Sequence, residues 1–182
     1  LSSDVSPAPE RANVAATPAW VRALDRLVEV VGEATSWIAL AIVVLMATNV
    51  VLRYLFSIGS VWSQELEWHL LTPLIMFGIS YALLHGEHVR VDVLYADFSA
   101  RNKAVVDFVS ALLSIAICVS FIWLSVKYVQ QSYVIDEQSS DPGGLTHRWI
   151  LKALIPAGFA LLVLQSLAVA ARSLVRIRTA QR

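Results

Sequence analysis

The sequence predicts an all-α integral membrane protein: four transmembrane helices preceded by an amphipathic interfacial helix, with both termini cytoplasmic. Three observations lead there. Hydrophobic residues make up 57% of the 182 and charged residues only 15%, against about 25% in an ordinary soluble domain. Four segments are each long enough to cross the hydrocarbon core, which takes about 20 apolar residues at about 1.5 Å of rise each. Lys and Arg are spread unevenly between the two sides those spans define.

The spans are expected at about 35–56, 65–84, 104–126 and 149–171, inside a four-helix transmembrane domain covering 35–172. Each holds few internal charges. Helices are the expected form because a chain in lipid must satisfy its backbone N–H and C=O groups within itself. Trp37, Trp62 and Trp149 stand near span ends, where indole rings settle among the headgroups. Pro73 and Pro156 fall inside the second and fourth spans, where membrane helices tolerate them as kinks.

Orientation follows from the cations. Arg11, Arg22 and Arg26 precede the first span. Arg90, Arg101 and Lys103 lie between the second and third, and Arg172, Arg176, Arg178 and Arg182 follow the fourth. The opposite side carries Arg53, Lys127, Arg148 and Lys152. The richer side is expected in the cytoplasm. Arg53, Lys127 and Lys152 are close enough to span ends to snorkel to the headgroups.

Residues 1–17 hold prolines, serines and alanines and no apolar run; they are expected to be a flexible tail rather than a secretory signal. Residues 18–34 read as an amphipathic helix. Thr17 is the expected N-cap, with Pro18 in the first turn. Trp20, Leu24, Leu27 and Val31 recur at helical spacing as one apolar stripe, with Arg22, Asp25, Arg26, Glu29 and Glu33 largely off it. That stripe suits the membrane surface or a partner subunit, and the two readings are compatible. Residues 173–182 read as a basic cytoplasmic tail.

The polar residues form no complete chemical site in the sequence pattern. A membrane haem needs facing histidines inside the bilayer. His69 falls near the outer end of span two, His85 and His88 at its inner end, and His147 in the outer loop, so no pair is placed to face at mid-depth. Glu65 and His69 share a helix face with Glu67 nearby, but two ligands are too few for a closed metal site. Acids at a helix start also suit its dipole. Arg53 and Glu65 flank a short turn, so Arg53 either pairs with Glu65 or Glu67 or is solvated separately. Asn49 is the one strongly polar residue in the body of span one, suited to a hydrogen bond between helices. The inner loop from His85 to Leu94 alternates apolar and polar residues from Val89 to Val93, as an extended or interfacial segment does. Ser99 is placed to cap the third helix. The outer loop from Gln130 to His147 carries the turn signal Asp141-Pro142-Gly143-Gly144; it either contacts a soluble protein or only connects helices. Cys118, the single cysteine, reads as a small packing residue.

Net charge is zero, which leaves no basic surplus for nucleic acid. No ionisable pair lies at mid-depth and no matched pair of broken helices is present in the sequence pattern, as transporters use for coupling ions. Four ordinary helices point instead to a subunit that supports another pore or carrier. No enzyme activity, cofactor or metal is expected.

Three blocks then resemble the small membrane subunit, the DctQ family, of tripartite ATP-independent periplasmic (TRAP) transporters. They are Arg53-Tyr54-Leu55-Phe56 followed by Trp62 and Glu65; Gly78 through Tyr81-Ala82 into His88-Val89-Arg90-Val91-Asp92-Val93-Leu94; and Ile155-Pro156-Ala157-Gly158-Phe159. Together they cover roughly 20–173. Family members often carry an asparagine shortly after the first block, where this chain has Ser57 and Ile58. The resemblance implies a large membrane subunit that holds the substrate and sodium sites and moves as an elevator. It also implies a periplasmic solute-binding protein that delivers substrate, commonly an organic acid. The small subunit would brace the scaffold of the large one in the bacterial inner membrane. The outer surface near Trp62 and Gln130–His147 would face the binding protein. The block Ser139 to Leu145 is similar to that of a subset of these subunits, which the resemblance associates with small carboxylates such as 2-oxo acids. The structural or interface candidates are Trp20, Asn49, Arg53, Trp62, Glu65, His88, Arg90, Asp92, Asp141 and Pro156. The alternative is a membrane anchor subunit of a respiratory or redox complex.

Overall fold

In the computed structural model the described residues are 18–86 and 98–179, and they form four helices. These are α1 (Ala19–Phe56), α2 (Val61–His85), α3 (Ala100–Val134) and α4 (Arg148–Thr179). All four are long and apolar enough to cross a membrane.

The stretch read as an interfacial helix plus a first span is one uninterrupted helix of 38 residues, about 57 Å long. No proline interrupts it. Its hydroxyls bond back into the helix rather than compete with it: Thr35 Oγ1 donates to the Val31 carbonyl (2.7 Å) and Ser36 Oγ to Gly32 (3.2 Å). The helix starts one residue later than expected, with Pro18 at the N-cap position. The Pro18 carbonyl accepts from the Val21 N–H at 3.0 Å. The face packed within the bundle is a neighbouring one. Val21, Val28, Gly32 and Thr35 are buried, whereas Trp20 and Leu27 of the expected stripe are exposed. Leu24 and Val31 of that stripe are half-buried, so the stripe borders the packed face.

Ser99 caps α3 as anticipated, its Oγ accepting from the Asn102 N–H (3.3 Å). At the end of α1, Ser57 takes a left-handed conformation (φ 54°, ψ 28°). This lets the Ile58 N–H reach back to the Leu52 carbonyl (3.1 Å).

α4 is the central helix. It packs most extensively on α3, then on α2, and also touches α1, while α1 and α2 form the second hairpin. A third of its apolar window is buried, against 6–11% in the others. The seams are built from small residues. On α3 the buried positions are Ala104, Ala111, Cys118, Ser125 and Ser132, one every seven residues. On α1, Val21, Val28, Thr35 and Ile42 repeat at the same interval. A strict seven-residue period keeps one face on a neighbour through left-handed packing near 20°. Small side chains matter because lipid tails compete on equal terms for apolar surface, so association depends on close contact. Cys118 takes the packing role expected of it.

Two glycines set the closest approaches. A Cβ at Gly158 would lie 2.6 Å from Met76 Cβ and 3.1 Å from its carbonyl oxygen, so α4 crosses α2 there nearly backbone to backbone. A Cβ at Gly32 would enter the Tyr81 ring, at 1.9 Å from its nearest carbon. Phe159, next to Gly158, stacks on Phe121 of α3 with centroids 5.0 Å apart.

Polar contacts finish the core. Ser114 and Ser166 share a hydrogen bond between α3 and α4 (3.0 Å). Arg172 Nη1 donates to both carboxylate oxygens of Asp25 (2.7 and 2.6 Å). Fully buried Gln165 adds a longer bond to the same carboxylate (3.4 Å). The ends of α1 and α4 are thereby tied by an ion pair backed by an amide.

Gly158→Ala is expected to lower stability by about 1–3 kcal/mol through overpacking, read as thermal unfolding in detergent. Gly78→Ala, where a new Cβ meets nothing within 4 Å, should instead raise it by up to about 1 kcal/mol, the helix preference of alanine over glycine. Ser57→Gly should raise it by about 0.5–1 kcal/mol, because glycine holds φ above zero without a Cβ clash.

Candidate functional site

The bundle end that carries the α1–α2 turn (57–60) and the α3–α4 loop (135–147) gathers most of the polar candidates. Glu65, in the second turn of α2, is its centre. One carboxylate oxygen accepts from Ser139 Oγ and the other from the Leu145 N–H (2.5 Å). The loop is folded for this purpose. The Ser139 N–H donates to the Leu145 carbonyl (3.1 Å), and the Gly144 N–H to that of Asp141 (3.0 Å). The Asp141 N–H in turn donates to Ser139 Oγ (3.2 Å). Gly143 supplies the left-handed turn (φ 82°). Gly144 supplies the clearance: a Cβ there would sit 2.5 Å from Ser139 Oγ and 2.7 Å from Glu65 Oε2. The Asp-Pro-Gly-Gly signal is thus the device that brings a loop hydroxyl and an amide onto a carboxylate of another hairpin.

The loop base is fastened separately. Lys152 of α4 pairs with Glu137 and lies over the Tyr128 ring, 3.9 Å from its centroid. The Arg148 N–H donates to the Glu137 carbonyl (3.0 Å). The Lys152 hydrogen bond holds the Glu137 carboxyl below its ordinary value near 4.5. This contribution is present above that pH and is lost as the pH falls through the lowered value. Tyr133 and Trp149 meet edge to face at 5.3 Å.

On the α1 side, Asn49 Nδ2 donates to Glu67 Oε1 (2.6 Å). This is the interhelical bond anticipated for Asn49. The pairing considered for Arg53 is not formed: Glu65 is engaged by the loop, Glu67 by Asn49, and Arg53 makes no ion pair among the described residues. The competing donors sit closer to both carboxylates than the guanidinium does.

Trp20 and Trp62 are exposed at the starts of α1 and α2, and Asp141 is exposed at the loop turn. Pro156 is half-buried inside α4, two residues before the Gly158 crossing. His88, Arg90 and Asp92 lie outside the described residues. His69 Nδ1 contacts the Glu65 carbonyl at 2.8 Å, while His85 sits 3.6 Å from Glu29. Among the described residues no three His, Cys, Asp or Glu side chains converge as a metal site would need.

Sequence reasoning missed Ser139, Gly144 and Leu145 as partners of Glu65, and the Asp25–Arg172–Gln165 cluster. Gln165 carried a usable signal: a strongly polar residue inside an apolar span is expected to face the bundle rather than lipid. Asp25 sits between Val21 and Val28 on the packed face, and that repeat was the cue to its inward orientation.

Four apolar helices with exposed greasy flanks and a clasped polar loop define a multi-pass membrane protein. Residues 42–176 match the family model for the DctQ component of tripartite ATP-independent periplasmic transporters, and the chain belongs to that family. The ectoine TRAP transporter small permease protein TeaB of Halomonas elongata is 28% identical over 136 residues, covering 72% of this chain and 69% of that protein. The family is a transport component rather than an enzyme, and it implies association with a large membrane subunit and a solute-binding protein. Membership sets it apart from the redox anchors considered as the alternative.

Glu65→Ala is expected to free the loop, speeding amide hydrogen exchange at Leu145 and Gly144 while the helices stay protected. The reciprocal exchange Arg53→Glu with Glu65→Arg should not restore that protection, since Arg53 is not the native partner.

Proposed function

We propose that this chain is the small permease subunit that braces the large membrane subunit of a TRAP transporter during sodium-coupled uptake of a small organic acid. A periplasmic solute-binding protein delivers the solute. The observation that carries this reading is the surface of the bundle. Its core is narrow and rich in small residues, and long rows of large apolar side chains remain exposed. On α1 they include Trp37, Leu40, Val43 and Val44; on α3, Leu112, Leu113, Val119 and Trp123. Exposed apolar faces on a four-helix bundle suit lipid on one flank and a second membrane protein on another. The described helices hold no continuous charged path, so the substrate route belongs to the partner.

In this reading both termini are cytoplasmic, supported by the excess of Lys and Arg on that side. The Glu65-clasped loop then faces the periplasm of the bacterial inner membrane. It offers the delivery protein a fixed surface that includes Asp141 and Trp62, rather than a mobile strand. Ectoine is the solute in the relative's name, and a small carboxylate remains the class proposed here.

Uptake in proteoliposomes should require this chain, the large subunit and the loaded binding protein together, and should stop when sodium is replaced by choline. Transport by this chain alone would overturn the accessory role. Full uptake with choline would overturn the sodium coupling and leave the subunit assignment standing.

A further inference from the structure

Beside the α1–α2 turn lies an open groove of about 420 Å³ whose residues include Asn49, Arg53, Tyr54, Glu67 and Trp68. We propose that it seats the headgroup of a phospholipid with a primary ammonium, of the phosphatidylethanolamine class.

The first argument is depth. Arg53 is in the last turn of α1, and Glu67 is in the second turn of α2. Both stand within about 10 Å of their helix ends at 1.5 Å per residue. That is the level at which an apolar helix leaves hydrocarbon and meets headgroups. The flanking aromatics fit the same level, with Tyr54 80% and Trp68 72% exposed.

The second argument is charge complementarity. The groove holds one cation and one anion that are not joined to each other. Glu67 is fixed by the amide of Asn49 through Oε1 alone, so its second oxygen is left to accept. Arg53 is exposed and presents a planar fork of donors suited to a phosphate. A ligand that satisfies both carries an anionic group for Arg53 and an N–H-bearing cation for Glu67; a phosphate with a primary ammonium does so, and Met46 and Val50 line the same groove for its acyl chains. A purely anionic headgroup answers Arg53 but meets the Glu67 carboxylate as a like charge. A quaternary ammonium balances that charge but donates no hydrogen bond.

The test is native mass spectrometry of the full chain, delipidated in detergent and titrated with phosphatidylethanolamine, phosphatidylcholine and phosphatidylglycerol of matched acyl chains. The wild type is expected to retain phosphatidylethanolamine about tenfold better than phosphatidylglycerol, with phosphatidylcholine between them. Glu67→Gln keeps an oxygen for Asn49 and should remove the preference between headgroups while leaving phosphate binding. Arg53→Gln should weaken all three lipids. Circular dichroism and elution volume check that each variant is folded. Equal retention of the three lipids by the wild type would mean annular lipid only and would overturn the proposal. A headgroup preference that survives Glu67→Gln, or a polypeptide that occupies the groove in place of lipid, would overturn it as well.

Discussion

Everything in this bundle depends on how closely α4 approaches its neighbours. In water, four such helices would be driven together by the removal of apolar surface. In lipid that drive is nearly absent, because a leucine facing an acyl chain is as well placed as one facing another leucine. What remains is contact at short range. The chain secures it with Ala104, Ala111 and Cys118 along α3, with Gly32 under Tyr81, and with Gly158 against Met76. Most of the large apolar side chains are correspondingly outside, although Val21, Val28, Leu161 and Gln165 are buried among the small ones.

Polar bonds then fix what small residues only permit. Interhelical hydrogen bonds in membranes are individually modest, yet these sit where sliding would otherwise be cheap. Asp25 and Arg172 join α1 to α4 at one end, and Ser114 and Ser166 join α3 to α4. Glu65 joins α2 to the loop between α3 and α4 at the other end. Asn49 and Glu67 close the α1–α2 hairpin. Each pair bridges elements that share no backbone hydrogen bonds.

The helices were legible because length and hydropathy are local properties. So were the Ser99 cap and the packing role of Cys118. The continuity of α1 was not, because the change from amphipathic to wholly apolar sequence at residue 35 resembles a boundary, and nothing in the backbone marks one. Which face of its first half packs within the bundle was not legible either. Apolar residues occur on both the 20/24/27/31 stripe and the 21/28/35 row, and only the packing of the bundle shows that the second is buried. The partner of Glu65 was illegible for a different reason. Ser139 and Leu145 lie 74 and 80 positions away, and their approach depends on a turn geometry and on the clearance at Gly144. A nearby arginine was the natural guess from proximity in sequence, and proximity in space favoured the loop.

The Asp25–Arg172 tie and the Glu65 clasp stand at opposite ends of the same four rods, with the Gly158 crossing between them. A body pinned at its two extremities and its waist resists both scissoring and torsion. A sideways load is then shared among rods coupled at three levels, so the bundle bends less than its separate helices would. Coupling of that kind gives a small set of thin helices the stiffness of one thicker beam.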